Sequence, residues 1–260
     1  MTSLAEAVRR HDPDRYFCAL FAPAPHREAL FTLTAFNHEL ARAQEVAREP
    51  TLALIRLQWW REVVEGADPQ SRTRRHDVAT PLRLMLDSGV VVPETLLSMI
   101  AAREDAVAGP AATVAAFLAR SHAGPGALAV AMGQVLGARA GQLPALAAIG
   151  AAYGVAGTLR NLAALARAGQ CPLPDDMLAR ANLTRDQAVA DPDRALAACG
   201  ALRSAGLDLI GPARPWPRAI VAAALPAALA RRDLHRATVV AGRGIADRVA
   251  VLAAAMIRRA

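Results

Sequence analysis

Apolar residues recur along this chain at three- and four-residue steps while strand-like alternation is scarce, which predicts helices throughout. Leu30, Leu33, Phe36 or Asn37, and Leu40 fall on one side of a helix over 25–48, forming an inward stripe. Proline and glycine divide the pattern into predicted helices at 2–10, 25–48, 51–66, 76–88, 93–107, 112–120, 124–138, 143–168, 175–180, 192–210, 217–231 and 233–258. Pro25, Pro93, Pro144 and Pro217 stand at or near helix starts, where a missing amide hydrogen costs nothing. No internal repeat or low-complexity linker interrupts the series, so a single all-α domain over 1–260 is expected.

Residues 140–159 carry no charge, yet Gly141, Pro144, Gly150, Gly154 and Gly157 interrupt them, and alanine stands where a spanning helix favours leucine. A buried core helix is the better expectation. The neighbouring rings of Trp59 and Trp60 point about 100° apart on their helix, so both cannot face one pocket. Core packing is expected there, with Arg56 placed to lie over Trp60; a ligand or partner anchor is the alternative. His38, Arg42, Glu45 and Glu49 share one side of the helix over 25–48, which makes either a site wall or a solvated, ion-paired face.

Composition strengthens the helical reading: 54% of residues are hydrophobic but only 4% aromatic, so alanine and leucine dominate. All thirty basic residues are arginine, set against 23 acidic ones for a net charge of +7. Coding bias accounts for such a skew, and so does an anionic partner. The one tight basic cluster, Arg72-Thr73-Arg74-Arg75, has no interleaved aromatics for base stacking, which argues against nucleic acid. It is instead a candidate contact for an anionic membrane, the alternative being a solvated loop. Cys18, Cys171 and Cys199 are odd in number and lack metal-ligand spacing, as expected in a reducing compartment. The first residues include acids and no apolar core, which argues against a secretory signal. These features predict a cytoplasmic protein, with peripheral contact on the inner face of a membrane as the accompanying expectation.

The order of several blocks resembles the squalene and phytoene synthase family. Asp14-Arg15-Tyr16-Phe17, Leu20-Phe21-Ala22-Pro23, Arg27-Glu28-Ala29-Leu30 and Thr34-Ala35-Phe36-Asn37 resemble its opening. The run from Tyr153-Gly154 to Pro174 resembles its second signature, and Leu225-Pro226-Ala227 with Arg231-Arg232 looks like its C-terminal region. The resemblance implies an isoprenoid-synthase-like helical bundle around a central cavity, in which two DxxxD-like motifs on facing helices hold magnesium. Carboxylates at i and i+4 share a helix face, and hard oxygen ligands on both walls clamp the metal against a substrate diphosphate.

Those acids are missing here. Aligning Gly169 and Leu173-Pro174 with the family pattern puts Asn161 and Leu165 at the acidic positions of the second motif. Aligning Phe36 puts Ala41 and Glu45 at those of the first, while a shifted register pairs Glu45 with Glu49. Residues 106–174 contain no aspartate or glutamate, and their only charged residues are Arg120, Arg139, Arg160 and Arg167. No register places a carboxylate on the second wall. Aspartates introduced at Asn161 and Leu165 are expected to restore no synthase activity, because Ala41 still lacks its acid, and to destabilise the fold as buried charges.

An acid-poor second motif and Gln58-Trp59-Trp60 resemble the non-synthase branch of the family, which is related to a mitochondrial assembly factor for respiratory complex I. The resemblance implies a non-catalytic interaction or assembly factor for a membrane respiratory complex, with a protein partner and no cofactor. Two alternatives stay open: a magnesium-dependent prenyltransferase condensing isoprenoid diphosphates, and an isoprenoid or lipid-binding protein. Glu45, Glu49, Arg160, Asn161 and Arg167 are the candidate residues of a residual cavity. Ser121-His122 has no nucleophile-elbow setting, and the six histidines show no ligand spacing.

Overall fold

The computed structural model describes residues 3–46, 49–67, 76–236 and 242–260, excluding the side chains of Gln44, Glu45 and Val46. The cluster Arg72, Arg74 and Arg75 lies outside the described residues. Within them the chain forms helices joined by turns, with no strand and one isolated antiparallel bridge between Pro215 and Arg259. The helices are α1 (Leu4–His11), α2 (Pro13–Ala19), α3 (Arg27–Val46), α4 (Pro50–Glu65), α5 (Ala79–Asp87), α6 (Pro93–Ala108), α7 (Val114–Ser121) and α8 (Ala127–Val135). There follow α9 (Leu143–Arg160), α10 (Leu162–Arg167), α11 (Asp175–Arg180), α12 (Arg185–Ala190), α13 (Pro192–Ala197), α14 (Gly200–Ile210), α15 (Val221–Ala224), α16 (Pro226–His235) and α17 (Ile245–Ile257).

Their ends follow local chemistry. Asp12 caps α2 by accepting from the Arg15 amide, with Pro13 in the first turn, and Asp191 caps α13 in the same way before Pro192. Thr184 and Gln187 close a capping box at the start of α12. Helices α2 and α12 were not anticipated as separate elements, although their caps are written in the sequence. The helix expected over 143–168 breaks at Asn161, that over 192–210 breaks at Ala198 and Cys199, and the helix expected to end at residue 231 continues to His235, with α17 starting at Ile245.

Helix α9 is the spine of the bundle, packed against α8, α14, α16 and the π turn His122–Gly126. Its close approach to that turn requires glycine: a methyl group at Gly150 would come 2.3 Å from the Pro125 carbonyl oxygen, and one at Gly154 would come 2.6 Å from Pro125 Cγ. Ala140–Arg160 is the one described stretch long and apolar enough to cross a membrane, and half of it is buried inside the bundle, as expected of a core helix. Leu146, Ile149, Ala152, Val155, Ala156 and Leu159 join the core from α9, where they meet Leu33, Phe36 and Leu40 of α3 in one cluster. Trp60 is buried in that cluster too, packing edge-on against Phe36 at 5.1 Å and against His76 at 5.5 Å, while Arg56 is exposed. The solvated-face reading of the α3 side chains holds for Arg42, which pairs with Glu39 at 3.4 Å; His38 stacks on His11.

Candidate functional site

A cavity of about 1440 Å³ opens among α2, α3, α6, α7, α9, α10 and α17. From α3 come Asn37 and Ala41, and from the end of α9 into α10 come Gly157, Arg160, Asn161 and Leu165. Thus Ala41, Asn161 and Leu165, three of the four positions aligned with motif acids, do line one cavity, and none of the three carries a carboxylate. Gly124, Pro125, Gly154 and Gly157 also line it.

Two of the candidate site residues are brought here and two are not. Arg160 and Asn161 line the cavity, whereas Arg167 is exposed on α10 away from it. Glu49 is exposed, extended and precedes the first turn of α4, whereas Glu45 belongs to the end of α3. The two glutamates therefore belong to different elements, Glu45 to the last turn of α3 and Glu49 to the cap of α4. The side chain of Glu45 lies outside the described residues.

A connected ion-pair network runs from the cavity wall into the bundle through Asp14, Asp233 and Asp247, of which Asp14 and Asp247 line the cavity. Asp14 Oδ2 accepts from Tyr153 Oη at 2.9 Å, Arg160 Nη1 at 2.9 Å and Arg243 Nε at 2.8 Å. Arg243 continues to Asp233 Oδ1 at 2.6 Å, which also accepts from Arg236 Nη1 at 3.0 Å. Arg236 in turn reaches Asp247 Oδ1 at 2.6 Å, shared with Arg232 Nε at 2.8 Å, while Asp247 Oδ2 accepts from the Gly244 amide at 3.0 Å. Arg160 closes the loop at 3.5 Å from Asp233 Oδ2. Positive and negative groups alternate along this chain of contacts, which ties α2, α9, α16 and α17 together.

Burial opposes ionisation of Asp14, but the charge of Arg243 and the hydrogen bond and charge of Arg160 outweigh it and hold its pKa below the usual carboxylate value. Burial likewise opposes ionisation of Asp247; hydrogen bonds from Arg236, Arg232 and the Gly244 amide hold it well below. The Tyr153 hydroxyl is pushed up, first by burial and then by Asp12, so it stays a neutral donor to Asp14. Arg15 sits over the Tyr153 ring at 4.6 Å and pairs with Asp12 at 2.7 Å.

The described residues do not fit a magnesium cluster. No group of three or more His, Cys, Asp or Glu side chains among them is arranged to hold a metal ion. Two of the lining acids, Asp14 and Asp247, are already paired with arginines, so neither presents an uncompensated negative charge to a cation. The cavity lining is electropositive: Arg9, Arg15, Arg103, Arg120, Arg160, Arg185, Arg243 and Arg248 face Asp12, Asp14, Asp186 and Asp247. Of this network the sequence reading selected Arg160 alone as a site residue. Arg243, Asp233, Arg236 and Asp247 were missed, although Arg231-Arg232-Asp233 to Arg236 shows their alternation of sign.

Fold and cavity together define an isoprenoid-synthase-like bundle that keeps the chamber and lacks the acidic clamp on its described walls. The squalene/phytoene synthase family model matches residues 8–255, and the chain belongs to that family. A dehydrosqualene synthase superposes with a TM-score of 0.70 at 14% identity, over 97% of this chain and 94% of that one. Squalene synthase HpnC from Alicyclobacillus acidocaldarius gives 0.64 at 14% identity, over 96% and 91%. These likenesses establish the fold. In sequence the chain is 42% identical over 60 residues to NADH dehydrogenase (ubiquinone) complex I, assembly factor 6, of Homo sapiens, a match covering 23% of this chain and 18% of that protein. The Drosophila melanogaster homolog is 34% identical over 67 residues, covering 25% and 20%. The matched segment thus spans about a fifth of those relatives.

Proposed function

We propose that this chain is a non-catalytic member of the squalene/phytoene synthase family that acts through protein partners as an assembly factor for a membrane respiratory complex of the NADH dehydrogenase type. One observation carries the non-catalytic half: Ala41, Asn161 and Leu165 line the cavity where the family pattern calls for acids. Ionising an allylic diphosphate requires strong charge stabilisation at the leaving group. Arg160 and Arg243, which are well placed to face an anion, are already engaged by Asp14 and Asp233. The protein uses no magnesium and no other cofactor. The assembly half is supported by the local match to the complex I assembly factors. In this reading the protein works in the cytoplasm, at the inner face of the membrane that holds its client complex.

The test has two arms. Purified protein is incubated with magnesium and farnesyl or geranylgeranyl diphosphate, and no diphosphate release is expected; steady turnover would overturn the non-catalytic half. In the native host, deletion of the gene is expected to deplete assembled NADH dehydrogenase on native gels, and an unchanged complex would overturn the assembly half. The size of the cavity favours a second, compatible reading, an isoprenoid or other lipid held as a bound ligand. Organic extraction of the purified protein followed by mass spectrometry tests it, and an empty extract from protein purified without detergent rejects it.

A further inference from the structure

We infer that the outward face of α17 is a docking surface for an anionic phospholipid bilayer, an inference that rests on the membrane-periphery part of the reading above. Ile245, Val249, Leu252 and Met256 recur at steps of four, three and four residues, which places them within roughly 60° of one another around the helix. They are 83%, 54%, 41% and 81% exposed, and Ile257 beside them is 64% exposed. Ala246 and Ala253 extend the same face. Large apolar side chains normally turn inward on a surface helix; here they run outward for the length of α17 and stay exposed among the described residues.

The exposed charges of α17 and of the residues that follow it are all of one sign. The only acid of α17, Asp247, is 1% exposed and held on the inner side by Arg232 and Arg236. Arg248 borders the stripe near its start, and Arg258 and Arg259 stand at its end, all exposed. Arg214, also exposed, is brought to that end by backbone hydrogen bonds with Ala260. An apolar strip bordered by arginines and free of its own acids is complementary to acyl chains below anionic headgroups. It is poorly matched to a second copy, because a two-fold contact would set arginine against arginine at both ends.

The helix is also held in place before any contact is made. Asp247 anchors its first turn, the Trp216 amide donates to the Arg258 carbonyl at 2.8 Å, and the Arg214 amide donates to the Ala260 carbonyl at 3.1 Å. Docking therefore needs no folding step, and the opposite side of the same helix, through Asp247 and Val251, faces the cavity.

Flotation of the full-length protein with vesicles tests this. Wild type is expected to float at low salt with equimolar phosphatidylcholine and phosphatidylglycerol, and to stay in solution with phosphatidylcholine alone. Ile245→Glu with Met256→Glu should lower binding by roughly tenfold or more, and Arg258→Gln with Arg259→Gln should shift release to lower salt. Unchanged circular dichroism melts would show that the variants fold, since all four positions are exposed. Wild type left in solution with the anionic vesicles, or the glutamate variant floating as well as wild type, overturns the proposal. So does a dimer dispersed by the glutamate substitutions in the absence of vesicle binding, which assigns the face to a second copy. The vesicles contain no protein, so a negative result here leaves the assembly reading intact, and an unaffected respiratory complex leaves this surface intact.

Discussion

Two regions of the same cavity have treated carboxylates in opposite ways. Around Asp14, Asp233 and Asp247 every acid is kept, and each is met by arginine nitrogens at 3.0 Å or less. At Ala41, Asn161 and Leu165 no carboxylate is present. A buried charge persists only with its compensation, because uncompensated burial costs several kcal/mol per ion. Once the positive counterpart is an arginine instead of a bound cation, acids are worth keeping only beside arginines. The ion pairs of this network join α2, α9, α16 and α17.

The largest effect should come from cutting that chain. Asp233→Ala removes one partner each of Arg236 and Arg243 and leaves buried guanidinium behind, so a loss of about 3–5 kcal/mol is expected. In a thermal melt that corresponds to a fall of roughly 10 °C for a chain of this size. A fall under about 2 °C would mean that the pairs act like exposed ones and that the contrast between the two regions is only one of composition.

Acid should expose the same contrast. The carboxyls of Asp14 and Asp247 have lower pKa values in the folded protein than in the unfolded chain, where an aspartate titrates near 4. Their stabilisation is therefore complete above that value and is lost as pH falls through the lowered folded values. Urea midpoints should hold steady through neutral pH and drop in the acid range. The variant Asp247→Asn, less stable at neutral pH, should show a shallower acid limb; an equally steep one would place the sensitivity elsewhere.

Restoring acids to the stripped region should do less. Asn161 is exposed to the cavity and Leu165 only partly buried, so Asn161→Asp with Leu165→Asp should change stability by no more than about 1 kcal/mol. This corrects the expectation that new carboxylates there are buried charges. No diphosphate release should follow, and magnesium should leave the melting temperature of the variant unchanged, since Ala41 still faces them. A magnesium-dependent rise would show that the first wall already holds a ligand.

The smallest effect concerns thiols on the two sides of this boundary. Cys18 lies buried beside Asp14, and burial, then Asp14 and Asp12, push its thiol up; the Cys199 thiol is pushed up to about 12, chiefly by burial. Cys171 is half-buried in the cavity lining. One thiol should react quickly with a chromogenic disulfide reagent and two only on unfolding. Fast reaction of Cys18 would show that the ion-pair region opens readily.

Much of this architecture could be read in advance because its causes are local. Apolar spacing marked α3 and α9, and glycine and proline within an uncharged run marked α9 as a core helix rather than a span. The missing acids followed from a plain count over residues 106–174. Other features were not legible, because residues far apart in the chain decide them. Nothing near Asp14 announces that Arg243 will reach it, and nothing near Glu45 announces that α3 ends before Glu49.

The sequence by itself determined the helical class, the family resemblance and the loss of the second acidic motif, since periodicity, block order and residue identity need no coordinates. The tertiary structure decided which arginines are neutralised, which candidate residues reach the cavity, and which face of α17 is left bare. Those outcomes depend on helices meeting across the bundle, where a partner at about 3 Å, or the lack of one, sets the cost of every buried charge and exposed apolar side chain.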